Sequence, residues 1–185
     1  GVTHTIPYQL VDDEFRTNLL NHYSTTCRAS NSTNLKPVIS LGMSPLANNL
    51  LNSETDKDEL FPLEMVYCSE SHNCQLSYVV PADKMFNHYL YVSSTSKSFK
   101  QHFKQAAEKY IKDYKLDETS LIVDIGSNDG ISLKHFKKCG INVLGVEPAK
   151  NIADIAIDNG IDTINSYFDK NCAFDILKRY GNADI

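Results

Sequence analysis

The chain has 185 residues, 42% of them hydrophobic and 22% charged, so it can bury a core, and wholesale disorder is excluded. The net charge is −5, with five Lys/Arg against ten Asp/Glu in residues 1–90 and thirteen of each in residues 91–185, so no clustered positive charge faces a nucleic-acid backbone. No apolar run approaches the roughly 20 residues that span a bilayer.

The first residues, Gly1 to Glu14, lack the basic-then-apolar pattern of a secretory signal. The expectation is a soluble, cytoplasmic protein with no nucleic-acid and no membrane partner. Its five cysteines, Cys27, Cys68, Cys74, Cys139 and Cys172, are scattered. In an intracellular chain they suit free thiols or metal ligands better than a disulfide framework.

Residues 23–82 are rich in turn formers between short apolar runs. Val38–Leu41, Leu63–Tyr67 and Cys74–Val80 read as short strands of a loop-rich β module. From Ser98 to Tyr114 the period turns helical, with Phe99, Phe103, Ala106, Ala107, Tyr110, Ile111 and Tyr114 on one face and lysines mostly opposite. The lysine face reads as solvated surface.

An α/β alternation follows. Leu121–Ile125 is a compact apolar strand, then comes a glycine turn and a helix over Ile131–Cys139. Strand Ile141–Val146, helix Lys150–Asn159, strand Ile161–Ile164 and helix Asn171–Tyr180 complete the series, and Ala183–Ile185 starts a further strand. Gly140 and Gly160 suit left-handed helix ends. Such an alternation builds parallel strands joined by right-handed crossovers, the first half of a doubly wound, Rossmann-like sheet. A fourth strand left open predicts either a fragment or pairing with another chain, for example a homodimer through the open sheet edge; a fragment is the favoured reading.

The most informative segment is Asp124-Ile-Gly-Ser-Asn-Asp-Gly130, followed by Val146-Glu-Pro148. Gly126 and Gly130 bracket the turn where backbone passes close to a ligand and a helix start offers free N–H groups. Glu147 ends the second strand of the alternation, where a carboxylate accepts both hydroxyl protons of a ribose. A dinucleotide turn wants glycine at positions 126, 128 and 131, but these read Gly, Asn and Ile. The spacing matches the Gly-x-Gly-x-Gly turn of S-adenosylmethionine sites, with Asn128 in place of the middle glycine and Asp124 as the acidic lead residue.

Those residues, with Gly145-Val-Glu-Pro-Ala149, resemble the cofactor site of the nucleotide-sugar C-methyltransferases. The resemblance continues upstream through Cys27-Arg-Ala-Ser30, Ser44-Pro-Leu-Ala-Asn48, Cys68, Gln75-Leu-Ser77 and Phe86-Asn-His-Tyr-Leu-Tyr-Val-Ser-Ser94. It implies a methyltransferase, commonly acting at C3 of a nucleotide-linked 4-keto deoxysugar. It also implies that Asp124, Gly126, Ser127, Asn128, Gly130 and Glu147 hold S-adenosylmethionine. Tyr89 and Tyr91 then match a Tyr-x-Tyr segment near the reacting centre, and Ser93 and Ser94 reach the cofactor's polar end. Read from the residues alone, the two tyrosines pack one face of an extended segment. Asp184 falls where such folds often contact a ligand.

The family also implies an N-terminal zinc-ribbon-like module with two Cys-x-x-Cys knuckles. Here the knuckles read Cys27-Arg-Ala-Ser30 and Cys68-Ser-Glu-Ser71. A hydroxyl is a poor zinc ligand, so simple carry-over fails. His72 and Cys74 are near enough in sequence to join Cys27 and Cys68 in a rearranged set; otherwise Cys74 points into a small core, and packing with a Cys27–Cys68 contact holds the module. Cys139 and Cys172 read as helix core.

The expected organisation is an extension over residues 1–22, the β module over 23–82, a connecting segment and helix over 83–115, and a truncated Rossmann-like S-adenosylmethionine domain over 116–185. A fragment of this kind is expected to be inactive. Three rival readings stand beside it. One keeps the cofactor and changes the acceptor, one is a non-catalytic nucleotide- or partner-binding module, and one is an NAD oxidoreductase, which Asn128 and Ile131 oppose.

Overall fold

The protein is described here from a computed structural model, which describes residues 21–47, 49–86 and 89–185. The extension expected over residues 1–22 lies almost wholly outside the described residues. The chain divides into two compact units, with the boundary between Lys84 and Met85.

The first unit is a three-stranded antiparallel sheet in the order β1-β2-β3, with β1 at Leu35–Pro45, β2 at Leu60–Cys68 and β3 at Cys74–Leu76. Strand β1 is longer than the apolar run 38–41 suggests. Pro37 cannot donate to a ladder and Gly42 is left-handed (φ 75°), yet both fall at register irregularities, Pro37/Ile39 and Ser40/Met43, which absorb them. The unit's core is small: Tyr78 stacks on Phe61 and meets Tyr23 edge-on at 5.3 Å, with Leu46 and Val80 around them.

Strand alternation corrects the placement of one cysteine. Gln75 of β3 points inward and is buried, so Cys74 and Leu76 beside it are exposed, and Cys74 does not enter a core. A short helix, α1 at Ala82–Phe86, covers the boundary in the chain.

The second unit carries the α/β alternation. Its elements are α2 (Lys97–Tyr114), β4 (Leu121–Ile125), α3 (Leu133–Lys138), β5 (Asn142–Val146), α4 (Lys150–Asp158), β6 (Thr163–Ile164) and α5 (Lys170–Tyr180). The strands pair in parallel in the order β4-β5-β6. Residues 183–185 run along the free edge of β4, where Asp184 N–H donates to the Leu121 carbonyl (2.9 Å) and Val123 N–H to the Ile185 carbonyl (2.9 Å).

Alternating strand residues face opposite layers. Ile122 and Val143 pack with Leu133, Phe136, Ala156 and Ala107, which places α2, α3 and α4 on one face. Leu121, Leu144 and Val146 pack with Cys172 and Ile176 of α5 on the other. The chain therefore changes face with α5 and returns to the far side of β4, so the direction of strand addition reverses beside that strand.

Local signals set the helix ends. Ser96 caps α2 by accepting from Phe99 N–H, Asp169 caps α5 by accepting from Cys172 N–H, and Gly140 and Gly160 are left-handed as expected. Two expectations are corrected. Only Ala107 of the α2 apolar face is fully buried, while Phe99, Tyr110 and Tyr114 are exposed. Cys139 caps α3 and is exposed, whereas Cys172 is core as expected. Among the described residues no helix is long and apolar enough to cross a membrane.

Candidate functional site

The turn between β4 and α3 lies at the carboxyl ends of the parallel strands, beside the point where strand order reverses. Gly126 and Gly130 have φ of 71° and 75°, and Asn128 is left-handed at 50°, a conformation asparagine tolerates better than other side chains. The two glycines serve different ends. A Cβ on Gly130 would come within 2.8 Å of Ile161, so this glycine lets the turn pack on the sheet. A Cβ on Gly126 would meet nothing within 4 Å, so that backbone faces open space into which a ligand can come close.

Four of the turn's amides are already used. Gly126 and Ser127 N–H donate to the Val146 carbonyl, Gly130 N–H to the Ser127 carbonyl, and Asn128 N–H to Glu147 Oε2 at 2.9 Å. The free N–H groups expected at a helix start are not found at these four positions. Glu147 is buried, and its Oε1 accepts from Ala149 N–H at 2.9 Å. One carboxylate thus braces both loops and keeps a lone pair on each oxygen.

Asp124, one residue before the end of β4, lies close enough to Glu147 to feel its charge. Burial first, and then Glu147, push its carboxyl up from 3.8 to about 6. Asp129 is fully buried, with neither carboxyl oxygen hydrogen-bonded and Lys134 Nζ at 3.8 Å. The buried Ser127 hydroxyl also has no partner and lies over Gly145, where a Cβ would approach it to 2.5 Å. Unsatisfied buried polar atoms are costly, and they concentrate here at the turn.

The segment carrying Tyr89, Tyr91, Ser93 and Ser94 is brought to the same turn. Ser93 N–H donates to Asn128 Oδ1 at 2.9 Å, and Asn128 Nδ2 donates to the Tyr91 carbonyl at 3.0 Å. Tyr89 is held by a second asparagine, Asn151 in the first turn of α4: Asn151 Nδ2 donates to the Tyr89 carbonyl at 2.7 Å and Oδ1 accepts from Tyr89 N–H at 3.3 Å. Sequence reasoning misses Asn151, because nothing in its own neighbourhood marks it. Asp184 is corrected: its carboxylate accepts from Leu121 N–H, at the opposite end of β4 from the glycine turn.

In the first unit both knuckles fold alike. Asn31 N–H returns to the Cys27 carbonyl and His72 N–H to the Cys68 carbonyl, and Asn31 and His72 are both left-handed at φ 59°. Cys27 and Cys68 are buried and free of disulfide. The serines cross-pair with them: Cys27 Sγ lies 3.1 Å from Ser71 Oγ, and Ser30 Oγ lies 3.7 Å from Cys68 Sγ. Hydrogen bonds from Ser71 and then Ser30 pull the Cys27 thiol down to about 6, and Ser71 likewise lowers Cys68.

The rearranged metal set is not assembled. The His72 ring bonds the Tyr67 hydroxyl and Cys74 is exposed, so neither joins Cys27 and Cys68. Among the described residues no three His, Cys, Asp or Glu side chains gather as ligands. Two thiols and two neutral hydroxyls are a donor set that does not suit a structural zinc.

Two comparisons bear on this geometry. A family described as "putative zinc binding domain" matches residues 27–86. C-methyltransferase NovU of Streptomyces niveus is 36% identical over 161 residues, which is 86% of this chain and 38% of that protein. The chain is homologous to a C-methyltransferase. It spans well under half of that relative's length, and the shared stretch takes in most of both units.

Proposed function

We propose that this chain carries the S-adenosylmethionine site of a C-methyltransferase, on a Rossmann-like sheet of which β4, β5 and β6 are the first strands. The observation that carries the reading is a glycine turn in which the amides of residues 126, 127, 128 and 130 are already bonded and which is flanked by the carboxyl groups of Asp124 and Glu147. A dinucleotide presents a negatively charged pyrophosphate, which Asp124 beside the turn repels, whereas an acid after the second strand serves the ribose of either ligand class. A sulfonium nucleoside carries no phosphate, bears positive charge and offers ribose hydroxyls, which this lining suits. Homology to a C-methyltransferase supports the same choice.

In this reading Glu147 accepts the ribose hydroxyls with its remaining lone pairs. Gly126 lets the ligand approach the backbone, and Asp124 faces its positive charge. When bound, S-adenosylmethionine supplies a methyl group on a positively charged sulfur. The acceptor is a carbon beside a ketone, in a nucleotide-linked 4-keto deoxysugar, since loss of a proton there makes the carbon nucleophilic. Tyr89 and Tyr91 orient the acceptor against the methyl, where alignment supplies much of the rate.

Calorimetric titration tests the cofactor half directly. S-adenosylhomocysteine should bind and NAD should not, and Glu147→Gln should weaken binding at least tenfold. Preference for NAD, or equal binding by both proteins, refutes the reading.

A further inference from the structure

The segment from Tyr89 to Ser94 has no strand partner, yet it is fastened at two points by asparagine side chains. Each presents its amide as a peptide mimic, with one donor and one acceptor to backbone: Asn151 to residue 89, and Asn128 to residues 91 and 93. Asn128 is bound twice over, because its own backbone N–H goes to the Glu147 carboxylate. One residue therefore joins the acid that follows β5, the glycine turn and the tyrosine segment.

This gives a reason for asparagine where a glycine would satisfy the turn. Both residues accept the left-handed conformation seen at position 128, but only asparagine also carries an amide that can hold the segment.

We propose that Asn128 and Asn151 are positioning residues that seat the Tyr89–Ser94 segment on the glycine turn, so that adenosyl-ligand binding at Glu147 and order in this segment are coupled through Asn128. The inference rests on the cofactor reading above and adds a second role for the turn. A ligand that fixes Glu147 fixes the Asn128 backbone, and its side chain transmits that order to Tyr91 and Ser93. The coupling runs through contiguous hydrogen bonds and needs no change of fold. Asn151 acts on Tyr89 alone and has no bond to the turn.

The test is amide hydrogen exchange on the whole chain, read at Tyr89 and Ser93, with and without S-adenosylhomocysteine. Without ligand, Asn151→Ala should speed exchange at Tyr89 and Asn128→Gly at Ser93, each by roughly tenfold, as expected for loss of one or two such bonds. Asn128→Gly keeps the turn conformation, so folding is not at issue. Ligand should slow exchange at Ser93 in the wild type and in Asn151→Ala, but not in Asn128→Gly, whose affinity should fall about tenfold or less.

If ligand binds and Ser93 exchange is unchanged, or if Asn128→Gly responds like the wild type, the coupling is refuted while the cofactor reading stands. If no adenosyl ligand binds the wild type, the cofactor reading fails and the coupling with it, a result distinguished by unshifted amides throughout the turn. Unprotected Tyr89 and Ser93 amides in the free wild type refute the clamps themselves.

Discussion

Replacing Asp124 by asparagine should make the fold more stable, which is unusual for a half-buried residue of a candidate site. Its carboxyl is raised from 3.8 to about 6, by burial first and by Glu147 second. At about 1.4 kcal/mol per unit, keeping Asp124 ionised at neutral pH costs the folded state about 3 kcal/mol. The sign follows from proton uptake. Between pH 4 and 6 the folded chain binds more protons at this site than the unfolded chain, so this site's contribution to stability falls as pH rises through that window. The asparagine side chain lacks both the charge and its repulsion from Glu147.

Urea unfolding of both proteins at pH 4, 5, 6 and 7.5 measures the effect. The variant should match the wild type near pH 4 and exceed it by up to about 3 kcal/mol at pH 7.5. Other groups titrate in both proteins and cancel in the difference. A variant less stable at pH 7.5, or a difference that does not change with pH, would show that Asp124 is not a strained charge. A residue retained at such a cost points to use rather than packing.

Three further outcomes follow. Cationic adenosyl ligands should pull the Asp124 carboxyl below its free value of about 6, so affinity should be full above that pH and fall by up to about tenfold per unit below it; Asp124→Asn should flatten the profile, and an unchanged profile contradicts the assignment. Gly126→Ala should cost only the left-handed strain of about 1–2 kcal/mol while blocking ligand, whereas Gly130→Ala adds a clash with Ile161 and should cost more in thermal unfolding. The double variant Ser30→Cys, Ser71→Cys restores four thiols on two preformed knuckles. It should take up one zinc per chain and gain a chelator-sensitive melting temperature, while the starting chain shows neither; stoichiometric zinc in the starting chain overturns the donor argument.

The α/β alternation is readable because Leu121–Val123 and Val143–Val146 pack apolar side chains on both faces and are followed or separated by Gly126, Gly140 and Gly160. Strand β1 is only partly readable, since Pro37 and Gly42 look like breaks until the register shifts that absorb them are seen. The carboxylates of the turn follow from spacing. The bonds that take the Gly126, Ser127 and Asn128 amides to Val146 and Glu147, and the bridge from Asn128 to Ser93, pair residues far apart in the chain, and a local motif carries no trace of them. Burial of single cysteines is the weakest inference: Cys74 and Cys139 are apolar enough to be core, but strand alternation and a helix end turn them outward.

An amide-resolved NMR titration of the isotopically labelled chain with S-adenosylhomocysteine tests the central proposal most directly. Shifts should concentrate at Asp124–Gly130 and Glu147–Ala149, with smaller ones at Tyr91 and Ser93. Shifts confined to other parts of the sheet, or none at saturating ligand, would contradict it.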